Sequence, residues 1–310
     1  MNLAPVLLPG STPEAMLIFD EATLRKLEQL SLVATHVRVG LMKGERRSSK
    51  KGTSVEFADY RDYSQGDDLR RLDWNVFARL ERPFVKLLEE EEDLAVHILV
   101  DASASMNWPE GGGEANKFQY ALRLAGALGY IALVSGDRVG VTWLTSKGNR
   151  SWGPYRGRQN ALPMFHYLEA GEAIGTTSLN EATRDYALRA RRPGLLIMIS
   201  DLFSPSGFMD GLNSLLGHGY ELAIVQLLSQ DEVDPPPGRD VKLVDVESGA
   251  GAELTLDIPT ISLYKQRLSE WQSETAKYAA NHGIYFVPVT TDLPWDKLVL
   301  NSLRSRDIVR

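Results

Sequence analysis

Apolar runs alternate with amphipathic stretches through most of the chain after residue 93. Residues 94–100, 194–199 and 221–228 are almost continuously apolar, which is typical of strands buried on both faces of a parallel sheet. The segments with apolar residues at helical spacing are residues 117–134, 160–170, 179–190 and 208–216. This alternation predicts an α/β fold with a doubly wound, mostly parallel sheet, similar in architecture to a Rossmann fold.

The pattern changes on either side of this region. Ahead of it, residues 19–33 have the periodicity of an amphipathic helix, and residues 56–93 are polar, charged and irregular. Behind it, a proline-rich spacer precedes two stretches, residues 241–246 and 253–258, that predict a β-hairpin. The strand and helix rhythm then resumes. We therefore predict a helical and irregular N-terminal extension over residues 1–93 and an α/β domain over residues 94–310, with the hairpin inserted at about residues 234–258.

Oxygen-bearing side chains follow the first apolar strand at every second position, as Asp101, Ser103 and Ser105. In open α/β sheets the ligand site lies beyond the carboxyl ends of the strands. One carboxylate and two hydroxyls at that edge suit a hard cation such as Mg²⁺. Each residue also has a simpler interpretation, because serine and aspartate after a strand commonly form turns and helix N-caps.

The Asp101-x-Ser103-x-Ser105 ending resembles the metal-ion-dependent adhesion site of von Willebrand factor A domains. In that family a threonine and an aspartate from two later loops complete the site, and Thr177 and Asp201 match them in order. The resemblance implies one divalent cation, Mg²⁺ or else Mn²⁺ or Ca²⁺, and no organic cofactor. It also implies that a partner's aspartate or glutamate supplies the last metal ligand. Thr177 and Asp201 can alternatively serve as helix caps.

A second distinctive segment precedes the α/β domain and interleaves arginines, aspartates and aromatic residues. It resembles the signature of a bacterial family known as domain of unknown function 58. The matching residues are Arg61, Tyr63, Gly66, Asp67, Arg70, Asp73, Trp74, Ala78 and Arg79. The family implies this segment followed by an A-type domain, frequent genetic pairing with MoxR-type AAA ATPases, and no established reaction. The segment either holds an irregular fold together through Arg–carboxylate pairs or forms a second binding surface.

Composition narrows the functional classes. The chain has no cysteine, which excludes disulfides and thiolate catalysis, and a net charge of −7, which gives no general attraction to nucleic acid. No apolar run is long enough to span a bilayer and no secretory signal is evident, so we expect a cytoplasmic protein without a membrane anchor. The basic segment over residues 43–51 is interpreted as a solvated face, with nucleic-acid binding as the alternative.

The sequence has no nucleophile elbow, Walker loop or dinucleotide fingerprint, and its five histidines are scattered. We therefore expect a metal-dependent protein-interaction module and not an enzyme, acting as an adaptor or chaperone-complex component with a MoxR-type ATPase. The enzymatic alternative is a metal-dependent phosphohydrolase that uses Asp101. In haloacid-dehalogenase-like phosphatases, however, a second aspartate follows two residues later, where this chain has Ser103.

Overall fold

The computed structural model describes residues 19–34, 55–64, 72–80, 82–90, 93–189, 192–236, 240–244, 251–255, 257–304 and 308–310. These residues belong to two compact units, one within Met1–Met42 and Leu94–Arg310 and the other within Lys43–Asp93. The sequence predicted one N-terminal extension over residues 1–93, which included both the N-terminal helix and the residues of the smaller unit. The contacts instead assign that helix to the unit that contains the main sheet.

The N-terminal helix, α1 (Glu21–Leu27), is shorter than the sequence pattern predicts. Asp20 caps it by accepting a hydrogen bond from the backbone N–H of Thr23 at 2.8 Å. Beyond the helix, Leu32 forms a β-bridge with Val309, which ties this segment to the C-terminus. Pairing between segments so distant in sequence gives no local signal, and it accounts for the early end of the predicted helix.

The smaller unit contains a two-stranded antiparallel sheet and a short helix. Its elements are β1 (Val55–Asp62), α2 (Trp74–Leu80) and β2 (Phe84–Glu90). The side chains of Trp74, Phe77 and Leu80 on this helix are exposed by 62%, 40% and 60% of their surface, respectively. The segment is more regular than the irregular fold that the sequence predicted, because β1 and β2 pair with each other and a helix connects them in the chain.

The larger unit is built on a six-stranded sheet. Its elements in chain order are β3 (Ala95–Asp101), α3 (Lys117–Val134), β4 (Arg138–Leu144), β5 (Arg150–Arg156), α4 (Ala161–Glu169), α5 (Leu179–Arg189), β6 (Leu195–Ser200), α6 (Met209–Gly217), β7 (Glu221–Leu228), α7 (Gln230–Val233), β8 (Asp240–Val244), β9 (Gly251–Thr255), α8 (Ile258–Asn281), β10 (Tyr285–Thr290) and α9 (Trp295–Lys297). The strand order is β10-β7-β6-β3-β4-β5, and only β5 runs antiparallel to its neighbour. The predicted fold class is confirmed.

Helices cover both faces of this sheet, as a doubly wound fold requires. On β3, Val96, Ile98 and Val100 join a core cluster with α3 and α4, whereas Leu99 joins a second cluster with α5 and α6. Since side chains alternate along a strand, His97 and Asp101 lie on the same face as Leu99. This face carries both buried polar clusters considered below.

Two further features complete the described fold. β8 and β9 form an antiparallel hairpin between β7 and α8, within the predicted insertion. The edge strand β5 was not predicted, because its exposed residues lack an apolar run. None of the helices in the described part of the chain combines the length and apolar composition needed to cross a membrane.

Candidate metal centre

Two buried aspartates lie at the carboxyl ends of the neighbouring central strands: Asp101 is the last residue of β3, and Asp201 directly follows β6. Asp101 is 2% exposed and Asp201 is fully buried. In each, Oδ1 accepts a hydrogen bond from the backbone N–H two residues later, from Ser103 at 3.0 Å and from Phe203 at 2.9 Å. These bonds close Asx-type turns that fix the orientation of both carboxylates at the carboxyl edge of the sheet. The turn alternative therefore describes Asp101, whereas Asp201, for which the alternative was a helix cap, closes the same type of turn and does not cap α6, which begins at Met209. Both turns leave lone pairs on the same oxygens for a further ligand.

The second oxygen of each aspartate has a different type of partner. Asp101 Oδ2 accepts a hydrogen bond from the Ser200 hydroxyl at 2.7 Å, whereas Asp201 Oδ2 accepts one from the Lys117 ammonium at 2.8 Å. Only Asp201 therefore has a positive charge in contact with it. Burial, and to a smaller extent the charge of Asp201, raise the pKa of Asp101 to about 6 against the opposing hydrogen bonds from Ser200 and Ser103. Asp101 is a carboxylate whose negative charge lacks a direct counter-ion among its described contacts.

The hydroxyl groups predicted for the site lie at the same edge. The Oγ atoms of Ser103 and Ser105 are 3.0 Å apart. Adjacent oxygens around an octahedral Mg²⁺, at metal–oxygen distances of about 2.1 Å, also lie roughly 3 Å apart. The two serines are therefore spaced as neighbouring ligands of one small cation, although the distance equally suits the hydrogen bond between them.

Thr177 is held beside these serines by backbone contacts between two loops. The N–H of Ala104 donates to the Gly175 carbonyl at 2.8 Å, which joins the serine loop to the threonine loop. The Thr177 hydroxyl lies 3.4 Å from the carbonyl of Leu144, the residue paired with Asp101 on β4. Thr177 is buried and lies two residues ahead of α5. The backbone N–H of Glu181, in the first turn of α5, donates a long hydrogen bond to the Ser178 hydroxyl and not to Thr177. The capping alternative thus applies to Ser178.

Three residues at this edge were missed in the sequence: Ser200, Lys117 and Glu232. Lys117 is the first residue of α3, and its side chain is fully buried between Asp201 and Glu232, with Nζ 2.6 Å from Glu232 Oε1. A signal for Lys117 was available, because helical spacing places it on the same face as Ala121, Leu124 and Leu128. Nothing local marks Glu232, which belongs to the short helix α7.

The donor set fits a hard divalent cation. It consists only of oxygens, from two carboxylates and three hydroxyls. The two carboxylates lie at strand ends and give the set an excess of buried negative charge, and the hydroxyls come from two loops. Within the described residues, this edge included, no group of three or more His, Asp or Glu side chains is arranged to hold a metal, so the candidate site depends on two carboxylates together with hydroxyl groups. Metal binding by Asp101, Ser103, Ser105, Thr177 and Asp201 remains a prediction, and the geometry of this edge is compatible with it.

The alternative functions gain no support at this edge. A phosphohydrolase that uses Asp101 needs an acid or base two residues later, and the residue there is Ser103, whose backbone N–H donates to Asp101 Oδ1. The basic segment over residues 43–51, on which nucleic-acid binding depended, lies outside the described residues.

The signature segment is only partly described. Asp73 is buried, and its Oδ1 accepts hydrogen bonds from Asn75 N–H at 2.9 Å and Val76 N–H at 3.2 Å, which caps α2. Trp74 and Arg79 lie exposed on that helix, and the Tyr63 N–H donates to the Pro83 carbonyl. Gly66, Asp67 and Arg70, and the side chain of Arg61, lie outside the described part. Among the signature residues that the structure describes, Asp73 therefore has a clear structural role, as the cap of α2.

The sheet and its oxygen-lined edge define an α/β protein with a candidate cation site at its central strands. A family model described as "Protein of unknown function DUF58" matches residues 59–272. The chain belongs to this family, which confirms the resemblance seen in the signature segment.

Similar proteins include uncharacterized mycobacterial relatives and bacterial structures. Rv1480 of Mycobacterium tuberculosis and Mb1516 of Mycobacterium bovis are each 26% identical over 300 residues, which cover 95% of this chain and 94% of the relative. Among solved structures, an aerotolerance-related membrane protein from Bacteroides fragilis is 16% identical, with a TM-score of 0.42 over 68% of this chain and 99% of that one. BatB from Bacteroides thetaiotaomicron is 17% identical, with a TM-score of 0.42 over 69% and 98% of the two chains.

Proposed function

We propose that this chain is a metal-dependent protein-interaction module that binds a partner's carboxylate at the edge formed by Asp101 and Asp201. The observation that supports this function best is the pair of buried carboxylates at adjacent strand ends, of which only Asp201 contacts a positive charge. Buried charges are normally paired or coordinate metals. An acidic edge without enough counter-charge is therefore suited to receive a cation.

In this proposal, Asp101 and Asp201 provide the charged ligands, and the hydroxyls of Ser103, Ser105 and Thr177 provide neutral ones. We expect Mg²⁺, with Mn²⁺ or Ca²⁺ as substitutes, because all five donors are oxygens. A cation bound there would supply positive charge and a coordination position for an anionic oxygen. The Asx-type turns and the Ser200 hydroxyl keep the two carboxylates in place before any ligand arrives.

The partner we propose is a MoxR-type AAA ATPase that presents an aspartate or glutamate side chain. Membership of the DUF58 family supports this choice, since the family resemblance implies pairing with such ATPases. The protein would then work in the cytoplasm as an adaptor or a component of a chaperone complex.

The test is binding to a purified MoxR-type ATPase, measured by biolayer interferometry in Mg²⁺ and in EDTA. We expect chelation, or the substitution Asp101→Asn, to weaken binding by at least about tenfold. Glu172→Gln is the matched control, because it removes a negative charge from an exposed position in the loop that leads to Thr177. Its affinity should stay within about twofold of the wild type.

Two outcomes would contradict the proposal in different ways. Equal binding in Mg²⁺ and EDTA would show that the interaction does not need a metal. If the wild type does not bind the ATPase at all, the partner is wrong, and calorimetry with Mg²⁺ on the wild type and Asp101→Asn then tests the metal site by itself.

A further inference from the structure

Lys117 lies where a lysine is seldom found. Its side chain has no exposed surface, and Nζ donates to Asp201 Oδ2 at 2.8 Å and to Glu232 Oε1 at 2.6 Å. Lysine is almost never fully buried unless it is paired, because removing an ammonium from water is costly. The ring of Phe203 lies 5.5 Å from Nζ and stacks on Trp271. The face of the Phe203 ring therefore lies within the range of a cation–π contact with the ammonium.

The ammonium contacts one of the two charged ligands proposed for the metal. Asp201 has both oxygens engaged, Oδ1 by the Phe203 N–H and Oδ2 by Lys117, whereas Asp101 accepts hydrogen bonds only from neutral donors. A cation that binds Asp201 must therefore share this carboxylate with a positive charge that belongs to the protein. Coulomb repulsion between the two cations opposes metal binding, and it acts at short range in a buried site.

Glu232 gives the ammonium a second acceptor on a separate element. It belongs to α7, where Ser229 and Glu232 form a capping box, and Tyr264 donates to the Glu232 carbonyl at 2.6 Å. Lys117 can thus keep one charged hydrogen bond to Glu232 if its contact with Asp201 weakens. An ion pair formed with Asp201 alone would offer no such alternative.

We propose that Lys117 is a tethered counter-cation that competes with a divalent metal for Asp201 and so keeps the intrinsic metal affinity of the site low. This inference rests on the metal site of the proposed function and adds the residue that sets its affinity. With the ammonium in place, metal binding is weak until another anionic oxygen, such as a partner's carboxylate, contributes negative charge.

The experiment measures Mn²⁺ binding by calorimetry and by the electron paramagnetic resonance signal of free Mn²⁺. Lys117→Met keeps the length of the side chain and removes its charge, and we expect it to bind Mn²⁺ at least about tenfold more tightly than the wild type. The matched control is Lys147→Met, which removes the same charge from an exposed turn after β4. Its affinity should change by less than about twofold. Adding Asp101→Asn to Lys117→Met should abolish the gain.

Thermal unfolding keeps the test informative if the Lys117→Met variant is unstable. In EDTA we expect the variant to have a lower melting temperature than the wild type, because two carboxylates lose the cation that they accept from. On adding Mn²⁺, its melting temperature should rise by more than that of the wild type. A purely structural ion pair would give the loss in EDTA without the larger metal-dependent rise.

A second variant tests the inference from the opposite direction. Glu232→Gln preserves the capping box, since glutamine also fills that position, but leaves the ammonium with Asp201 as its only charged acceptor. We expect Mn²⁺ affinity to fall by about threefold or more, against less than about twofold for Asp231→Asn at the exposed neighbouring position.

The outcomes separate this inference from the proposed function. If the wild type shows no binding but Lys117→Met binds in an Asp101-dependent way, the tethered cation is supported and metal dependence of the wild type is contradicted. If the wild type binds and Lys117→Met binds equally or more weakly, the inference is overturned while the metal site stands. If no variant binds Mn²⁺, the inference is overturned.

Discussion

The same face of strand β3 carries two buried polar clusters that are satisfied in different ways. Around His97, Nε2 donates to the Arg192 carbonyl at 3.0 Å, so Nδ1 accepts the hydrogen bond from the Tyr186 hydroxyl at 2.7 Å. The ring of Tyr220 packs at right angles, with centroids 5.2 Å apart. Burial lowers the pKa of His97 to about 4, although the bond to Arg192 opposes this change. This cluster is neutral and each ring nitrogen has a partner.

Around Asp101, four residues further along the strand, the polar groups are charged, and the negative groups outnumber the positive one. Among the described residues, the three carboxylates of Asp101, Asp201 and Glu232 are accompanied by one ammonium group, that of Lys117. The comparison teaches how a structural polar cluster differs from a candidate functional one. The first contains no charged group, and both nitrogens of its histidine have partners, whereas the second retains buried negative charge that a ligand can compensate.

The largest expected effect comes from breaking the ion pair at the charged cluster. Asp201→Asn leaves the Lys117 ammonium buried with one charged acceptor instead of two, so the free energy of unfolding in EDTA should fall by about 3 kcal/mol. Guanidinium unfolding at pH 7.5, with the m-value compared to that of the wild type, measures this change. A loss below about 0.5 kcal/mol would indicate that Asp201 is a minor partner of Lys117 and would weaken the comparison.

The neutral cluster should respond to pH instead. Because the folded-state pKa of His97 is about 4 and its ordinary value is 6.5, the unfolded chain takes up a proton first as pH falls. His97 therefore lowers stability progressively below pH 6.5, and the loss is complete below pH 4. Between pH 7.5 and 5, the wild type should lose about 2 kcal/mol more than His97→Gln, which cannot titrate at this position.

The measurement is urea unfolding of both proteins across that pH range. His97→Gln is expected to be less stable at pH 7.5, because it loses the ring contacts, so the difference between the two pH slopes is the relevant quantity. Parallel slopes would contradict a buried neutral histidine and would remove the basis for calling this cluster neutral.

Much of the fold could be predicted from sequence, because strands buried on both faces must be apolar. β3, β6 and β7 were all located in this way, and β7 has the predicted bounds. The edge strand β5 and the bridge between Leu32 and Val309 were missed, since exposed edges and long-range pairs are not encoded in local periodicity.

The candidate site was predictable only in part, for a related reason. Asp101 and Asp201 follow apolar strands, so their position at the sheet edge could be inferred from the chain itself. Lys117 and Glu232 reach that edge from α3 and α7, and their meeting depends on how both helices pack. A charged residue at a core position of a helix, as Lys117 is, was the one available signal that such a partner existed.

The smallest expected effect is a gain in stability at the charged cluster. Asp101→Asn preserves an acceptor for the Ser103 N–H, and its amide can donate to the Ser200 hydroxyl oxygen, while one of the buried negative charges is removed. In EDTA at pH 7.5, its free energy of unfolding should therefore rise by about 1 kcal/mol, as is common where function requires a strained group. Asp201→Asn is the matched comparison, because it removes the same charge at the same edge and should have the opposite sign. A loss of stability in both variants would instead mean that Asp101 serves mainly to form its turn, and the contrast with the His97 cluster would no longer hold.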